Sequence, residues 1–101
     1  MVYGETEPWI PMSDPVDLKY LGKFIEELGE GTQAAGRCLI QGMDQFNEKE
    51  GHINKTCLED EIADIEANIK LVKERFGLDE FYISMRVEMK LPKLRAWHDA
   101  I

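Results

Sequence analysis

Two short acidic stretches carry residue types able to do chemistry: Glu26-Glu27-Leu28-Gly29-Glu30 and Glu59-Asp60-Glu61-Ile62-Ala63-Asp64. Each sets two acids three residues apart, Glu27 with Glu30 and Glu61 with Asp64. Side chains at that spacing are neighbours on one helix face. If the two helices pack together, four carboxylates converge and repel unless a cation sits among them. All-oxygen ligation of this kind suits Mg²⁺, or Mn²⁺ in its place.

The flanking residues say how helices would present these acids. At about 100° per residue, Leu21, Phe24, Ile25 and Leu28 form an apolar stripe that Ala35 and Leu39 continue. Glu27 falls about 60° from Phe24, at the border of the stripe, with Glu30 further round the same side and Glu26 nearly opposite. In the second stretch the stripe is Leu58, Ile62, Ile65, Ile69, Val72 and Phe76, bordered by Glu61 and continued on that flank by Asp64, Asn68 and Cys57. Two acidic edges thus run beside two apolar stripes. The plainer reading of such edges is a solvated helix surface.

Local signals place the elements. Residues 1–14, with Pro8 and Pro11, read as an irregular arm whose Val2, Tyr3, Trp9, Ile10 and Met12 could staple it to the domain or to a second copy. Asp14-Pro15 is a capping acid followed by Pro at the first helical position, so a helix is expected from Pro15 toward Gly42. Gly29, Gly31, Ala34, Ala35, Gly36 and Cys38 make its second half small, with a bend or break expected near Gly29 to Gly31. Gly42 to Thr56 reads as a polar connecting loop, and Phe46 at a would-be ligand position excludes a calcium loop there. A second helix capped by Asn54 or Thr56 should run to Phe76 and stop at Gly77. A third, capped by Asp79, carries Phe81, Tyr82, Met85, Met89, Leu94 and Trp97 and should be kinked or interrupted by Pro92.

Composition bounds the answer. The chain has 101 residues, 44% of them hydrophobic, and a net charge of -8. One small folded all-α domain over residues 15–101 is expected. The charge argues against nucleic acid or an anionic membrane as main partner. With no membrane-length apolar run and no secretory leader pattern, the expected location is cytoplasmic. Cys38 and Cys57 lack metal-site spacing and read as reduced. Leu71 and Ala67 lie off the main stripe of the second helix, a second apolar surface that points to a homodimer.

The order ExxE, connector, ExxD resembles the MazG-type all-α nucleoside triphosphate pyrophosphohydrolases. The matching residues are Leu21-Gly22-Lys23-Phe24-Ile25-Glu26-Glu27-Leu28-Gly29-Glu30 and Leu58-Glu59-Asp60-Glu61-Ile62-Ala63-Asp64-Ile65, with Lys90-Leu91-Pro92-Lys93-Leu94-Arg95 similar to a later basic segment. The likeness spans about residues 15 to 97, judged by the helix signals. The connector is long for the family, so Asp44 to Lys55 reads as an insertion near the site. The resemblance implies a small antiparallel helical bundle of the MazG type, completed by homo-oligomerisation as a dimer or tetramer. It implies hydrolysis of a (d)NTP to the monophosphate and pyrophosphate, with Mg²⁺ held by Glu27, Glu30, Glu61 and Asp64. One of the glutamates would also orient the attacking water. Asn68, Lys90 and Arg95 would meet the substrate. Two rivals differ in kind. A non-catalytic helical homodimer would use the acids only for solubility. A di-iron bundle needs Glu-x-x-His pairs, which neither His52 nor His98 completes, since Lys49 and Arg95 stand three residues before them.

Overall fold

The computed structural model describes residues 8–100 and contains, among them, three helices and one small hairpin. Helix α1 spans Pro15–Gln41, strands β1 (Phe46–Asn47) and β2 (His52–Ile53) follow, then α2 (Asn54–Phe76) and α3 (Glu80–Asp99). No helix among the described residues is long and apolar enough to cross a membrane. Residues 8–14 form no helix or strand, and Trp9 and Ile10 are exposed, so among the described residues they staple the arm to nothing. Val2 and Tyr3 lie outside the described residues.

The helix ends follow their local chemistry. The Asp14 carboxylate accepts from the N–H groups of Val16 at 2.8 Å and Asp17 at 3.1 Å, satisfying two otherwise orphaned donors. Gly77 takes the left-handed conformation (φ 59°) that closes α2, and the Leu78 N–H returns to the Lys73 carbonyl at 3.0 Å. Asp79 opens α3 by accepting from the Tyr82 N–H at 2.9 Å. Neither helix is interrupted at the expected positions: α1 is continuous through Gly29 and Gly31, and α3 through Pro92.

Helices α1 and α2 pack antiparallel. Arg75 reaches Asp17 at 2.7 Å at one end of the pair, and the Asn54 amide donates to the Gln41 side chain at 3.2 Å at the other. The seam on α1 is Tyr20, Phe24, Glu27, Gly31, Ala34 and Cys38, all buried or half-buried and spaced alternately four and three apart. That is the spacing of a near-antiparallel helix pair. The expected stripe is therefore displaced: Ile25 is 67% exposed and Leu39 87%. Small side chains decide the seam. A Cβ built on Gly31 would sit 2.6 Å from the Ile65 Cδ1, so glycine here admits the facing helix. On α2 the expected stripe holds at Leu58, Ile65, Ile69, Val72 and Phe76, while Ile62 stays exposed.

Gly31 yields a graded test. In Gly31→Ala the Ile65 methyl can turn aside, and the better helix propensity of alanine offsets the contact, so thermal unfolding should move by less than about 1 kcal/mol. Gly31→Leu cannot be absorbed and should cost about 1–3 kcal/mol. Equal melting of the two variants would refute close packing at this position.

The connector is more ordered than a loop. Phe46 pairs with Ile53 and Asn47 with His52, and Gly51 (φ 76°) makes the turn. Asn54 caps nothing; Ile53 holds the cap position, with no side-chain hydrogen bond. Asn54 instead is 1% exposed. Its amide also donates to the Gly42 carbonyl at 3.0 Å, and its N–H to the Gln45 carbonyl at 2.8 Å. These bonds hold the hairpin against the end of α1.

Helix α3 forms no extended interface with α1 or α2. Phe81, Tyr82, Met85, Val87, Met89, Leu94 and Trp97 are all exposed along it. The radius of gyration is 18.0 Å, where a compact chain of this length has about 13 Å.

Candidate metal centre

Packing α1 against α2 sets Glu27 within the seam, where the sequence placed it at the border. It is 5% exposed, the most buried acid among the described residues. Its Oε1 accepts from the Lys23 Nζ at 3.1 Å, one turn earlier, and its Oε2 has no hydrogen-bond partner among the described residues. Lys23 also lies 3.5 Å from Glu26. A carboxylate is retained in such a place only if something compensates its charge, and one lysine covers one oxygen.

Across the seam stand Glu61 and Asp64. One oxygen each of Glu27, Glu61 and Asp64 lie within 4.8 Å of one another, as do oxygens of Glu26, Glu27 and Glu30. Glu27 belongs to both groups and joins them. The Glu61 Oε2 is a second buried oxygen without a partner. Burial foremost, then the charges of Glu30, Glu27 and Asp64, push the Glu61 carboxyl above its ordinary 4.5. The neighbouring Glu27 charge, followed by desolvation, does the same to Glu30. These acids repel one another as they stand.

The donor set fits a hard divalent cation. Oxygens within 4.8 Å of one another could share one cation after movement of their side chains. Two orphaned buried oxygens and all-oxygen donors are groups that could hold a hard divalent cation. Exposed acids on a surface would show neither the burial of Glu27 nor its unpaired oxygen.

Glu30 and Glu61 also line an open cleft of about 310 Å³, together with Asp60, Arg37 and the hairpin residues Lys49 and Glu50. Arg37 and Lys49 were not among the expected site residues. Arg37 was legible, since it follows Glu30 by two helical turns and shares its face. Lys49 was not, because only the hairpin brings it here.

The remaining expected residues lie elsewhere. The Asn68 amide donates at 2.8 Å to the Asp64 carbonyl in its own helix, and its side chain lines a separate groove with Tyr20, Lys23 and Leu71. Lys90 and Arg95 are exposed on α3 and line no part of the cleft. Neither His52 nor His98 joins an acid group, and Cys38 and Cys57 are unbridged.

Asn54 forms the back of the cleft. Asn54→Ala strips the donors that hold Gly42 and Gln41 and should cost about 1–3 kcal/mol by denaturant unfolding. A change below about 0.5 kcal/mol would mean that the connector is held in place by other bonds.

No family model matches the chain, and neither do the curated proteins or the solved structures compared with it.

Proposed function

We propose that the chain is a divalent-metal-dependent hydrolase of (d)NTPs that yields the nucleoside monophosphate and pyrophosphate, as the MazG-type resemblance of its acid motifs implies. The observation that carries this reading is the buried Glu27, gathered with Glu61 and Asp64 and left with an unpaired oxygen. Glu27, Glu30, Glu61 and Asp64 would hold the metal. When bound, Mg²⁺ or Mn²⁺ neutralises phosphate oxygens and lowers the pKa of a coordinated water.

The chain's own residues supply the rest. Lys23 compensates the outer oxygen of Glu27 and so limits the charge that the cations must balance. One of the glutamates would also orient the attacking water and take its proton. The open cleft beside the acids admits a polyanion that an acidic protein otherwise repels. Lys90 and Arg95 reach a site only if a second copy presents its α3, so the proposal includes a homodimer or tetramer. We place the protein in the cytoplasm, where Mg²⁺ and nucleotides meet unbridged thiols.

The test is phosphorus NMR of a panel of NTPs and dNTPs incubated with the protein and Mg²⁺, Mn²⁺ or EDTA. Metal-dependent monophosphate and pyrophosphate are expected. Release of orthophosphate with a diphosphate would contradict the cleavage position. No product from any nucleotide would leave the non-catalytic homodimer, which the exposed face of α3 equally supports.

A further inference from the structure

The cleft beside the acids contains a feature that metal binding does not use. Arg37 on α1 and Lys49 on the hairpin line it with Glu30 and Glu61, and neither cation makes an ion pair among the described residues. Glu50 and Asp60 line the same cleft and leave both cations unpaired. Metal ligands gain nothing from adjacent cations, which repel a dication. A ligand that bridges both charges must itself be a polyanion. Arg37 is half-buried, and its planar fork suits two phosphate oxygens at once. Lys49 adds a mobile point charge from the other wall.

The support is preorganised. The Asn54 and Lys55 N–H groups donate to the Gln45 and Met43 carbonyls at 2.8 and 2.9 Å, and the Glu50 N–H to the Asn47 side chain at 3.2 Å. Arg37 rides on the same turn of α1 as Cys38, whose thiol meets the Asn54 carbonyl at 3.5 Å. The cleft, at about 310 Å³, is at the lower end of the range for small-molecule sites.

We infer that Arg37 and Lys49 form a polyphosphate subsite next to the metal ligands and hold the pyrophosphate end of the substrate, an inference that rests on the proposed hydrolase reading. The subsite reads the phosphate chain, and it retains the product after cleavage. Inorganic pyrophosphate alone should therefore bind the metal-loaded protein.

The experiment is calorimetric titration of the full chain in two stages, first with Mn²⁺ and then with inorganic pyrophosphate. Wild type should take up both. Arg37→Gln and Lys49→Gln should each weaken pyrophosphate about 10- to 100-fold, the range of a charge-assisted contact. Both should leave Mn²⁺ affinity unchanged or slightly tighter, because a neighbouring cation has gone. Arg37→Lys keeps the charge without the fork and should fall between. Lys49 is exposed, so its variant tests the idea even if Arg37→Gln folds poorly. Normal Mn²⁺ uptake without pyrophosphate binding, or wild-type pyrophosphate affinity in both variants, would overturn the subsite and leave the hydrolase reading standing. No Mn²⁺ uptake would overturn both.

Discussion

In EDTA, Glu61→Gln should melt above the wild type, and in Mn²⁺ the order should reverse. The Glu61 carboxylate is half-buried, has an oxygen without a partner, and stands near Glu27, Glu30 and Asp64. Without a cation its charge is a cost, and the isosteric amide removes it. Unpaired buried groups cost about 1–3 kcal/mol, and partial exposure screens this toward about 1 kcal/mol. For a domain of this size that is about 4–8 °C, compared at fixed protein concentration. Mn²⁺ at about 100 times its dissociation constant adds about 2.7 kcal/mol to a protein that binds it. The variant should lose most of that gain and at least about 100-fold of the hydrolysis rate.

The pH dependence has a defined sign. The folded carboxyls of Glu30 and Glu61 lie above 4.5, so the native state binds protons more readily than the unfolded chain. Stability of the metal-free protein should therefore rise as pH falls from the raised folded values toward 4.5. Asp14 acts oppositely: the Asp17 and Val16 N–H groups hold it below 3.8, and its contribution is lost as pH falls through that lower value. The metal-free melting temperature should thus peak in mild acid, and Glu61→Gln should flatten its rise. A wild type that only loses stability below neutrality would contradict mutual repulsion of the acids.

The second large effect concerns self-association. Ala34 and Val72 are the only buried hydrophobic residues among those described, and each is still 7% exposed. Two helices closed over so little apolar volume cannot offset the ordering entropy of a domain. The accessible surface is 8628 Å², against about 5,800 Å² for a compact chain of this mass. The excess, roughly 2,800 Å² per chain and so about 5,600 Å² for two copies, is at the upper end of what obligate interfaces bury. Ile25 and Leu39 on α1, Ile62 and Leu71 on α2, and Phe81, Met85 and Trp97 on α3 supply its apolar part. Light scattering should therefore give about twice or four times the chain mass of 11.6 kDa. Phe81→Asp combined with Trp97→Asp should yield monomers that have lost cooperative melting, because folding and assembly are one step in such chains. A wild type of single-chain mass with a sharp melting transition would refute this.

Much of the architecture was legible in the residues, and for local reasons. Asp14-Pro15, Gly77 and Asp79 act within one turn of themselves, so their chemistry could be read without the rest of the chain. The acid spacing was legible too, since three residues on a helix face need no tertiary knowledge. The seam was not. Periodicity weighs large apolar residues and so selected Ile25 and Leu39, whereas close approach selects Gly31 and Ala34. Those large residues keep an apolar face that finds no partner among the described residues. The hairpin was also hidden: its strands are two residues each, below any periodic signal, and its support comes from Asn54, which reads locally as a helix cap. Lys49 was missed with it. Lys90 and Arg95 fall outside the site because α3 does not fold back onto α1 and α2.

If Glu27, Glu30, Glu61 and Asp64 hold a divalent cation, uptake of that cation should depend on Glu27. The most direct measurement is electron paramagnetic resonance of Mn²⁺ titrated into wild type and Glu27→Gln. The free-ion signal should vanish stoichiometrically with wild type and persist with the variant, whose fold is checked in parallel by circular dichroism. Free Mn²⁺ throughout the wild-type titration, or identical binding by the variant, would contradict the account.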